Sequence, residues 1–208
     1  MYFDDKAQEW DNDPQKGARA NSFAKEINEF IKPNKKLTAL EFGCGTGLLS
    51  FKLKDNFKTI TLTDNSEGMM SVLREKIEKA GVKNFIPLKI DLFERGADFP
   101  KVDVIYTLMT LHHMTDIERT LEAFNSIVKA NGFLCIADLV KEDGSFHAHH
   151  NDFDGHNGFD KDELSGMLLK NGFKPVYYKE SFVIEKVVDG KTTEYPLFLM
   201  ICKKISKA

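Results

Sequence analysis

The chain reads Leu40-Glu41-Phe42-Gly43-Cys44-Gly45-Thr46-Gly47 at the point where an apolar strand pattern gives way to a helical one. Glycine has no Cβ, so three alternating glycines allow a sharp turn and let a bulky ligand lie close to the main chain. The unpaired N–H groups at the start of the following helix suit an anionic group such as a carboxylate or a phosphate. We therefore predict a loop that holds a nucleotide-like cofactor.

The spacing of these glycines bears on which cofactor the loop would hold. Gly43, Gly45 and Gly47 follow a G-x-G-x-G pattern, whereas the dinucleotide fingerprint is G-x-G-x-x-G. An acidic residue, Glu41, stands two positions ahead of the first glycine. Either glycine pattern alone is a weak signal, so the interpretation depends on the neighbouring segments.

Two further acids follow predicted strands. The β-branched run 59–63 stops at Asp64, and Ser66 is placed to cap the next helix. A carboxylate at position 64 can accept hydrogen bonds from both hydroxyls of a ribose. The strand predicted at 85–90 ends at Asp91-Leu92, where an acid and an apolar side chain could meet the amino group and the flat face of an adenine.

With these motifs in order, the chain resembles the class I methyltransferases that use S-adenosylmethionine, and most closely the small-molecule group that includes quinone-biosynthesis methyltransferases. The resemblance is carried by residues 41–47, 64–69, 91–92 and 99–114. It implies S-adenosylmethionine as the cofactor and S-adenosylhomocysteine as the product, with the methionine part over the glycines and the ribose on Asp64. The cofactor-binding residues that we predict are Glu41, Gly43, Cys44, Gly45, Gly47, Asp64, Asn65, Met69, Asp91, Leu92 and Thr107.

Strand-like and helix-like segments alternate from Leu37 onward, which indicates a parallel sheet with crossover helices. Residues 178–202 instead read as a β-hairpin with a turn at Asp189-Gly190. We predict an α/β fold, a Rossmann-like, doubly wound and mostly parallel seven-stranded sheet that ends in an antiparallel hairpin, with helices on both faces. Earlier strands are expected at 38–42, 59–63, 85–90, 102–107 and 133–139, and a capping box at 115–118 is expected to open a helix that Asn131-Gly132 closes.

The length of 208 residues fits a single methyltransferase domain over residues 1–208. Within it we expect an N-terminal helical cap or lid at 1–34, a cofactor-binding core at 35–140, and a substrate-side loop, helix and hairpin at 141–208. Trp10, the only tryptophan, would contact substrate if the first segment closes over the cofactor. In the alternative, the aromatic residues of this segment anchor the terminus to the core.

Histidines are the candidates for contact with a methyl acceptor. Methyl transfer from a sulfonium is an in-line displacement, so positioning can supply most of the catalysis, and a histidine could take a proton from the acceptor. The resemblance places residues 112–113 beside the transferable methyl group. Four histidines and two aspartates within 146–159 could bind zinc or nickel, but their spacing matches no structural zinc signature, and we assign no metal ligand. The catalytic candidates are His113, His112 and His149, and the substrate-binding candidates are Trp10, His147, His150 and His156.

Composition and charge limit the classes of molecule that we expect the chain to bind. A net charge of −3 offers no general attraction to nucleic acid or to an anionic membrane. The first residues lack the pattern of a signal peptide and no apolar run approaches a membrane-spanning length, so we expect a cytoplasmic protein. Residues 106–109 differ from the Asn/Asp-Pro-Pro-aromatic motif of amino-group methyltransferases. We expect a small-molecule acceptor, with no nucleic acid and no membrane as partners, and the oligomeric state stays open.

Two other functions remain open at this point. An NAD-dependent oxidoreductase is disfavoured by the glycine spacing and by the terminal hairpin. A non-catalytic protein that binds S-adenosylmethionine as a sensor or scaffold is excluded by nothing in the sequence.

Overall fold

Five short apolar or β-branched runs and one long C-terminal hairpin pattern become strands. The computed structural model describes residues 2–93, 99–148 and 153–205. The strands are β1 (Thr38–Phe42), β2 (Thr59–Asp64), β3 (Phe85–Lys89), β4 (Val102–Leu108), β5 (Val128–Leu139), β6 (Phe173–Val188) and β7 (Lys191–Lys204). They form one seven-stranded sheet in the order β3-β2-β1-β4-β5-β7-β6, which confirms the predicted fold class.

The helices fall between the strands as the alternating pattern predicts. The α-helices are α1 (Tyr2–Lys6), α2 (Pro14–Ile31), α3 (Leu48–Leu53), α4 (Glu67–Ala80), α5 (Ile117–Ile127) and α6 (Lys161–Lys170). Short 3-10 helices cover Ala7–Asn12, Leu111–His113 and Ser145–His147. Over the residues described, no helix combines the length and the apolar composition that crossing a membrane requires.

The chain divides into two compact units, residues 1–108 and 109–208. In the first unit β1 pairs in parallel with both β2 and β4, and β2 pairs in parallel with β3. Strands of a parallel sheet are buried on both faces, and accordingly Leu40, Ile60 and Leu62 are buried within continuous apolar runs. Helix α4 packs on β3 and begins at an N-cap formed by Ser66, whose Oγ accepts a hydrogen bond from Met69 N at 3.2 Å.

In the second unit β7 pairs antiparallel with β5 on one side and with β6 on the other. The β6–β7 turn lies at Asp189-Gly190 as predicted, and both residues have positive φ, 49° and 77°. Two positive φ angles in succession are what a two-residue turn of the I′ type requires. Helix α5 packs on β5, and α6 packs on β6.

The predicted boundaries of α5 are wrong at both ends. The N-cap is Asp116 rather than Thr115, because its carboxylate accepts a hydrogen bond from Arg119 N at 2.9 Å. At the other end the helix stops at Ile127, and Asn131-Gly132 lies inside β5, where Asn131 has a φ of 62°. The β-branched Val128 already starts the strand, so the Asn-Gly pair lies within a strand instead of ending a helix.

Candidate functional site

The glycine loop, residues 43–47, joins β1 to α3 in the first unit. All three of its glycines have positive φ, 65° at Gly43, 51° at Gly45 and 80° at Gly47. Side chains are strained in this region of backbone conformation, and a Cβ on Gly47 would also lie only 2.7 Å from Cδ1 of Leu73. The loop therefore needs glycine for its conformation, as the sequence pattern predicts.

Asp64 ties the glycine loop to the start of α4. One oxygen, Oδ2, accepts a hydrogen bond from Gly45 N at 2.8 Å, and the other, Oδ1, accepts one from Ser66 N at 2.9 Å. Burial raises the pKa of the Asp64 carboxyl, although both of these hydrogen bonds act to lower it. Each carboxylate oxygen can accept a second hydrogen bond, so the side chain keeps capacity for a ligand's hydroxyls.

Glu41 lies in β1, two residues before the glycine loop, and is buried, with only 2% of the residue exposed. Its Oε2 accepts hydrogen bonds from the backbone N–H of Ser50, at 3.2 Å, and from the Ser50 hydroxyl. That hydroxyl is also 2.7 Å from the hydroxyl of Tyr106. Burial raises the pKa of Glu41 to about 8, so the group is mostly protonated at neutral pH.

The N-terminal segment, residues 2–12, contacts the glycine loop. A Cβ built on Gly45 would lie 3.9 Å from Nε1 of Trp10 and 3.8 Å from Sδ of Met69. The Lys16 ammonium group stands 3.7 Å from the centre of the Trp10 ring, in cation–π geometry, and Phe3 meets the same ring edge-on at 5.9 Å. The aromatic side chain is therefore held over the loop from two sides.

Polar contacts join the same segment to the loop. Asp11 Oδ1 accepts a hydrogen bond from the Thr46 hydroxyl at 2.5 Å, and Asp11 Oδ2 pairs with the Lys76 ammonium group at 2.5 Å. Lys76 also donates to the carbonyl oxygen of Thr46 at 2.8 Å. These contacts agree with both predicted roles, a lid and an anchor, and the lid stays a prediction.

The other predicted cofactor residues lie in the first unit with different exposures. Met69 and Leu92 are buried, whereas Asn65 and Asp91 are exposed. Asp91 accepts a hydrogen bond from Phe93 N at 2.8 Å. Thr107, at the carboxyl end of β4, is buried, and its hydroxyl has no hydrogen-bond partner within the described part of the chain.

In the second unit, His112 forms a buried pair with Asp138 of β5. Nδ1 of His112 lies 2.6 Å from Oδ1 of Asp138, and the two side chains are 1% and 0% exposed. The backbone N–H of His112 donates to Oδ2 of the same carboxylate at 3.3 Å. Burial alone would raise the pKa of Asp138, but the adjacent His112 ring and these hydrogen bonds bring it below its ordinary value.

Two more histidines complete a histidine cluster, which consists of His112, His113 and His147. The ring centres are separated by 4.1 Å for His112–His113, 5.1 Å for His112–His147 and 5.7 Å for His113–His147. Phe153 stacks on the His147 ring with centres 3.7 Å apart. The structure thus brings one histidine of the 146–159 loop onto the pair that follows β4.

The remaining predicted histidines are placed differently. His149 and His150 lie outside the described residues. The backbone N–H of His156 donates to the carbonyl oxygen of His112 at 2.7 Å, and its ring centre is 5.8 Å from that of Phe159. His156 therefore supports the cluster through its main chain.

Sequence reasoning missed Asp138 as a partner of the histidines. It is the one acid in the otherwise apolar run Phe133–Leu139, and an isolated carboxylate in a buried strand needs a hydrogen-bonding partner. This isolated acid is the feature of the sequence from which a buried partner could have been predicted. Phe153 was indistinguishable in the sequence from the other aromatic residues of its loop.

Comparison with known proteins points to one family. A model of a methyltransferase domain matches residues 40–134. An uncharacterized methyltransferase of Schizosaccharomyces pombe is 31% identical over 158 residues, which cover 72% of this chain and 52% of the relative. A ubiquinone biosynthesis O-methyltransferase of Pelagibacter ubique is 31% identical over 116 residues, or 56% of this chain and 48% of the relative. The chain thus spans about half the length of these curated relatives.

Solved structures share the fold over nearly the full chain. A SAM dependent methyltransferase from Aquifex aeolicus has a TM-score of 0.70 at 21% identity, covering 97% of this chain and 98% of that one. The YcgJ protein from Bacillus subtilis has a TM-score of 0.72 at 13% identity, covering 89% and 98%. At these identities the likeness concerns the fold alone.

Proposed function

Since the chain belongs to the class I S-adenosylmethionine-dependent methyltransferases, we propose that it transfers a methyl group from S-adenosylmethionine to a small-molecule acceptor. The observation that carries the proposal is the glycine loop with three positive φ angles, fastened by Asp64. A loop of this kind leaves main chain, rather than side chains, against a ligand.

The residues of the first unit fit such a cofactor. Asp64 is anchored by two backbone N–H groups and keeps acceptor capacity for the two hydroxyls of a ribose. The buried hydroxyl of Thr107 has no partner in the described residues and is available to a polar group of a ligand. Asp91 and Leu92 follow β3 and are assigned to the adenine. Trp10 and Met69, beside Gly45, would enclose an apolar part of the cofactor.

Methyl transfer from S-adenosylmethionine requires the protein mainly to position the two reactants. S-adenosylmethionine supplies an activated methyl group with a good leaving group. The chain has to hold the acceptor in line with that methyl group and keep water away, and well-oriented reactants gain roughly 7 to 11 kcal/mol in this way. The catalytic roles of His112, His113 and His149, and the substrate contacts of Trp10, His147, His150 and His156, stay predictions.

The names of two relatives support a small acceptor. One is the ubiquinone biosynthesis O-methyltransferase already described, and another is a demethylmenaquinone methyltransferase of Bacteroides fragilis, 26% identical over 125 residues. Both names concern quinones. The net charge of −3 also gives the chain no general attraction to a nucleic acid.

Calorimetry with S-adenosylhomocysteine tests the cofactor site. We expect the chain to bind it, and we expect Asp64→Asn to weaken binding by about 1.5 to 3 kcal/mol, because a hydrogen bond to a charged group has roughly that strength. Asp55→Asn is the matched control, since Asp55 is exposed and follows α3. Unchanged affinity in a folded Asp64→Asn variant would refute the ribose assignment.

Turnover separates the enzyme from the alternatives. The chain should convert S-adenosylmethionine to S-adenosylhomocysteine with some members of a panel of phenols, catechols, amines and thiols. Tight cofactor binding with no turnover on any acceptor would favour a non-catalytic binding protein. Binding of NAD in place of S-adenosylhomocysteine would favour the oxidoreductase.

A further inference from the structure

Three imidazole rings from two separate segments of the second unit meet at one place. His112 and His113 come from the 3-10 helix after β4, and His147 comes from the 3-10 helix after β5. One ring nitrogen from each of them lies within 4.8 Å of the other two. His112 and His147 are buried and His113 is half-buried, so the nitrogens are largely shielded from water.

This spacing suits a shared metal ion after a small adjustment. Three points no more than 4.8 Å apart have a common point within about 2.8 Å of each, whereas zinc–imidazole bonds are about 2.0 to 2.1 Å long. The rings need to close in by roughly 0.7 Å each, which small changes of side-chain torsion can supply.

The bonding of His112 provides a second, independent observation. Its Nδ1 is 2.6 Å from Asp138 Oδ1, and a carboxylate only accepts, so Nδ1 carries the proton. Nε2 of the neutral ring then carries a lone pair. This atom is buried in a side chain with 1% exposure and has no hydrogen-bond partner among the described residues. Buried polar atoms in folded proteins usually have a partner, and an unpaired one calls for an explanation such as a bound ion.

Asp138 occupies the position of the carboxylate that, in many metal sites, lies behind a histidine ligand and hydrogen-bonds to it. In such sites a ligating histidine donates its second N–H to a carboxylate, which fixes the ring's orientation and makes the free nitrogen a better ligand. Asp138 contacts both the ring and the backbone N–H of His112. The carboxylate therefore holds His112 in one tautomer and one orientation.

We propose that His112, His113 and His147 bind a divalent transition-metal ion, with Asp138 as the outer carboxylate. Imidazole nitrogens suit zinc, copper, nickel, cobalt and iron, whereas magnesium and calcium prefer oxygen ligands. Three protein ligands leave a coordination position for water or for an oxygen, nitrogen or sulfur atom of a bound molecule. This site goes beyond the proposed methyl transfer and does not depend on it.

Titration of the metal-free full chain with Co²⁺ tests the site, because bound cobalt gives visible absorption that reports the geometry of its ligands. We expect one high-affinity ion per chain, with a tetrahedral or five-coordinate spectrum, and displacement by Zn²⁺. His113→Gln and His147→Gln should each weaken binding at least about a hundredfold, since each removes a direct ligand, and Asp138→Asn should weaken it by about 10- to 100-fold.

His156→Gln is the matched control, because it removes a histidine of the same loop whose hydrogen bond to His112 comes from its backbone N–H and is kept in the variant. It should bind cobalt as the unaltered chain does. If the variants at the buried positions fail to fold, the His113→Gln variant decides the outcome. His113 is half-buried, and the hydrogen bonds between His112 and Asp138 do not involve its ring. No high-affinity ion in the unaltered chain, or the same affinity in a folded His113→Gln variant, would overturn the proposal.

Discussion

Glu41 is an acid whose proton the folded chain retains near neutral pH. Burial raises its pKa from an ordinary 4.5 to about 8, against the opposing hydrogen bonds from Ser50. Between these two pH values the folded chain keeps a proton that the unfolded chain has lost. The free energy of unfolding must therefore fall as the pH rises through this window, and the contribution is fully present only below it.

Glu41→Gln should remove this pH dependence. Glutamine has the shape of a protonated glutamate and can keep the contacts with Ser50, but it cannot ionise. The variant and the unaltered chain should have similar free energies of unfolding at pH 5, and the variant should become more stable towards pH 8, by up to about 5 kcal/mol. Urea unfolding at pH 5, 6.5 and 8 measures the difference. Parallel curves for the two proteins across this range would contradict the assignment.

Single positions differ in how well the sequence predicts their role. The glycines at 43, 45 and 47 are predicted correctly as a turn, because only glycine adopts positive φ without strain and all three do so. Glu41 is predicted as a cofactor residue, and its contact with the first turn of α3 is not visible in the sequence. A side chain's partner depends on where another element passes, and local spacing does not contain that information.

The N-terminal segment is fastened to the start of α4 by Asp4. Its Oδ1 accepts hydrogen bonds from the Ser66 hydroxyl at 2.6 Å and from Gly68 N at 2.8 Å. These hydrogen bonds lower the pKa of Asp4, the one from Ser66 most. A negative charge also complements the positive end of the helix dipole. A Cβ on Gly68 would lie only 2.8 Å from the Asp4 backbone, so the segment lies directly against the helix.

Asp4→Ala should loosen this segment, because it removes the acceptor from the first turn of α4. Emission from Trp10, the only tryptophan, should shift to longer wavelength, and amides of residues 2–12 should exchange hydrogen faster. Asp5→Ala is the matched control, since Asp5 is exposed and its loss changes the net charge equally. The same emission and exchange in both variants would show that Asp4 does not anchor the segment.

Strand and helix boundaries are mostly predictable here for a local reason. β1 and β2 begin at the predicted residues, because their short apolar or β-branched runs determine them within a few positions. The exceptions are the start of β6 at Phe173, five residues before the predicted hairpin, and the C-terminal end of α5 with the adjoining start of β5 at Val128. Lys204 of β7 donates to the carbonyl oxygens of Asn125 at 2.5 Å and Val128 at 2.7 Å, and so satisfies the helix end from a distant strand. Such a contact is absent from any local pattern.

The histidine cluster was beyond sequence prediction for a topological reason. Its members stand 34 residues apart along the chain, at positions 112–113 and 147. The sequence predicts both segments as loop positions after strands but does not say which side chain of 146–159 meets the earlier pair. Only the folded second unit determines which of these side chains meet. The sequence therefore predicts His147 as a substrate-binding residue and does not group it with His112.

The reactivity of the three cysteines can measure the opening of each of the two units separately. Cys44 belongs to the first unit, and Cys135 and Cys202 belong to the second; all three are buried and free. Burial raises the pKa of each thiol, to about 12 for Cys202. Only a thiolate attacks a disulfide reagent, so both burial and the raised pKa protect these side chains.

We therefore expect the folded chain to react with a disulfide reagent at least about a hundredfold more slowly than the chain in urea, where all three thiols are exposed. Absorbance of the released thiolate measures the rate, and mass spectrometry of the products identifies which cysteine reacts first. The reaction in urea is the control for complete modification. Rapid modification of any cysteine without urea would show that its unit opens readily.

Gly155 has no functional group, yet the loop beside the histidine cluster can follow its path only because of it. A Cβ at this position would run into the carbonyl oxygen of His112, the same oxygen that accepts the hydrogen bond from His156 N at 2.7 Å. Any other residue at this position would require the carbonyl group of His112 or the loop itself to move. A side chain at position 155 would therefore displace the main chain of the residues that hold the His112 ring in place, although its nearest neighbours include none of the three imidazoles.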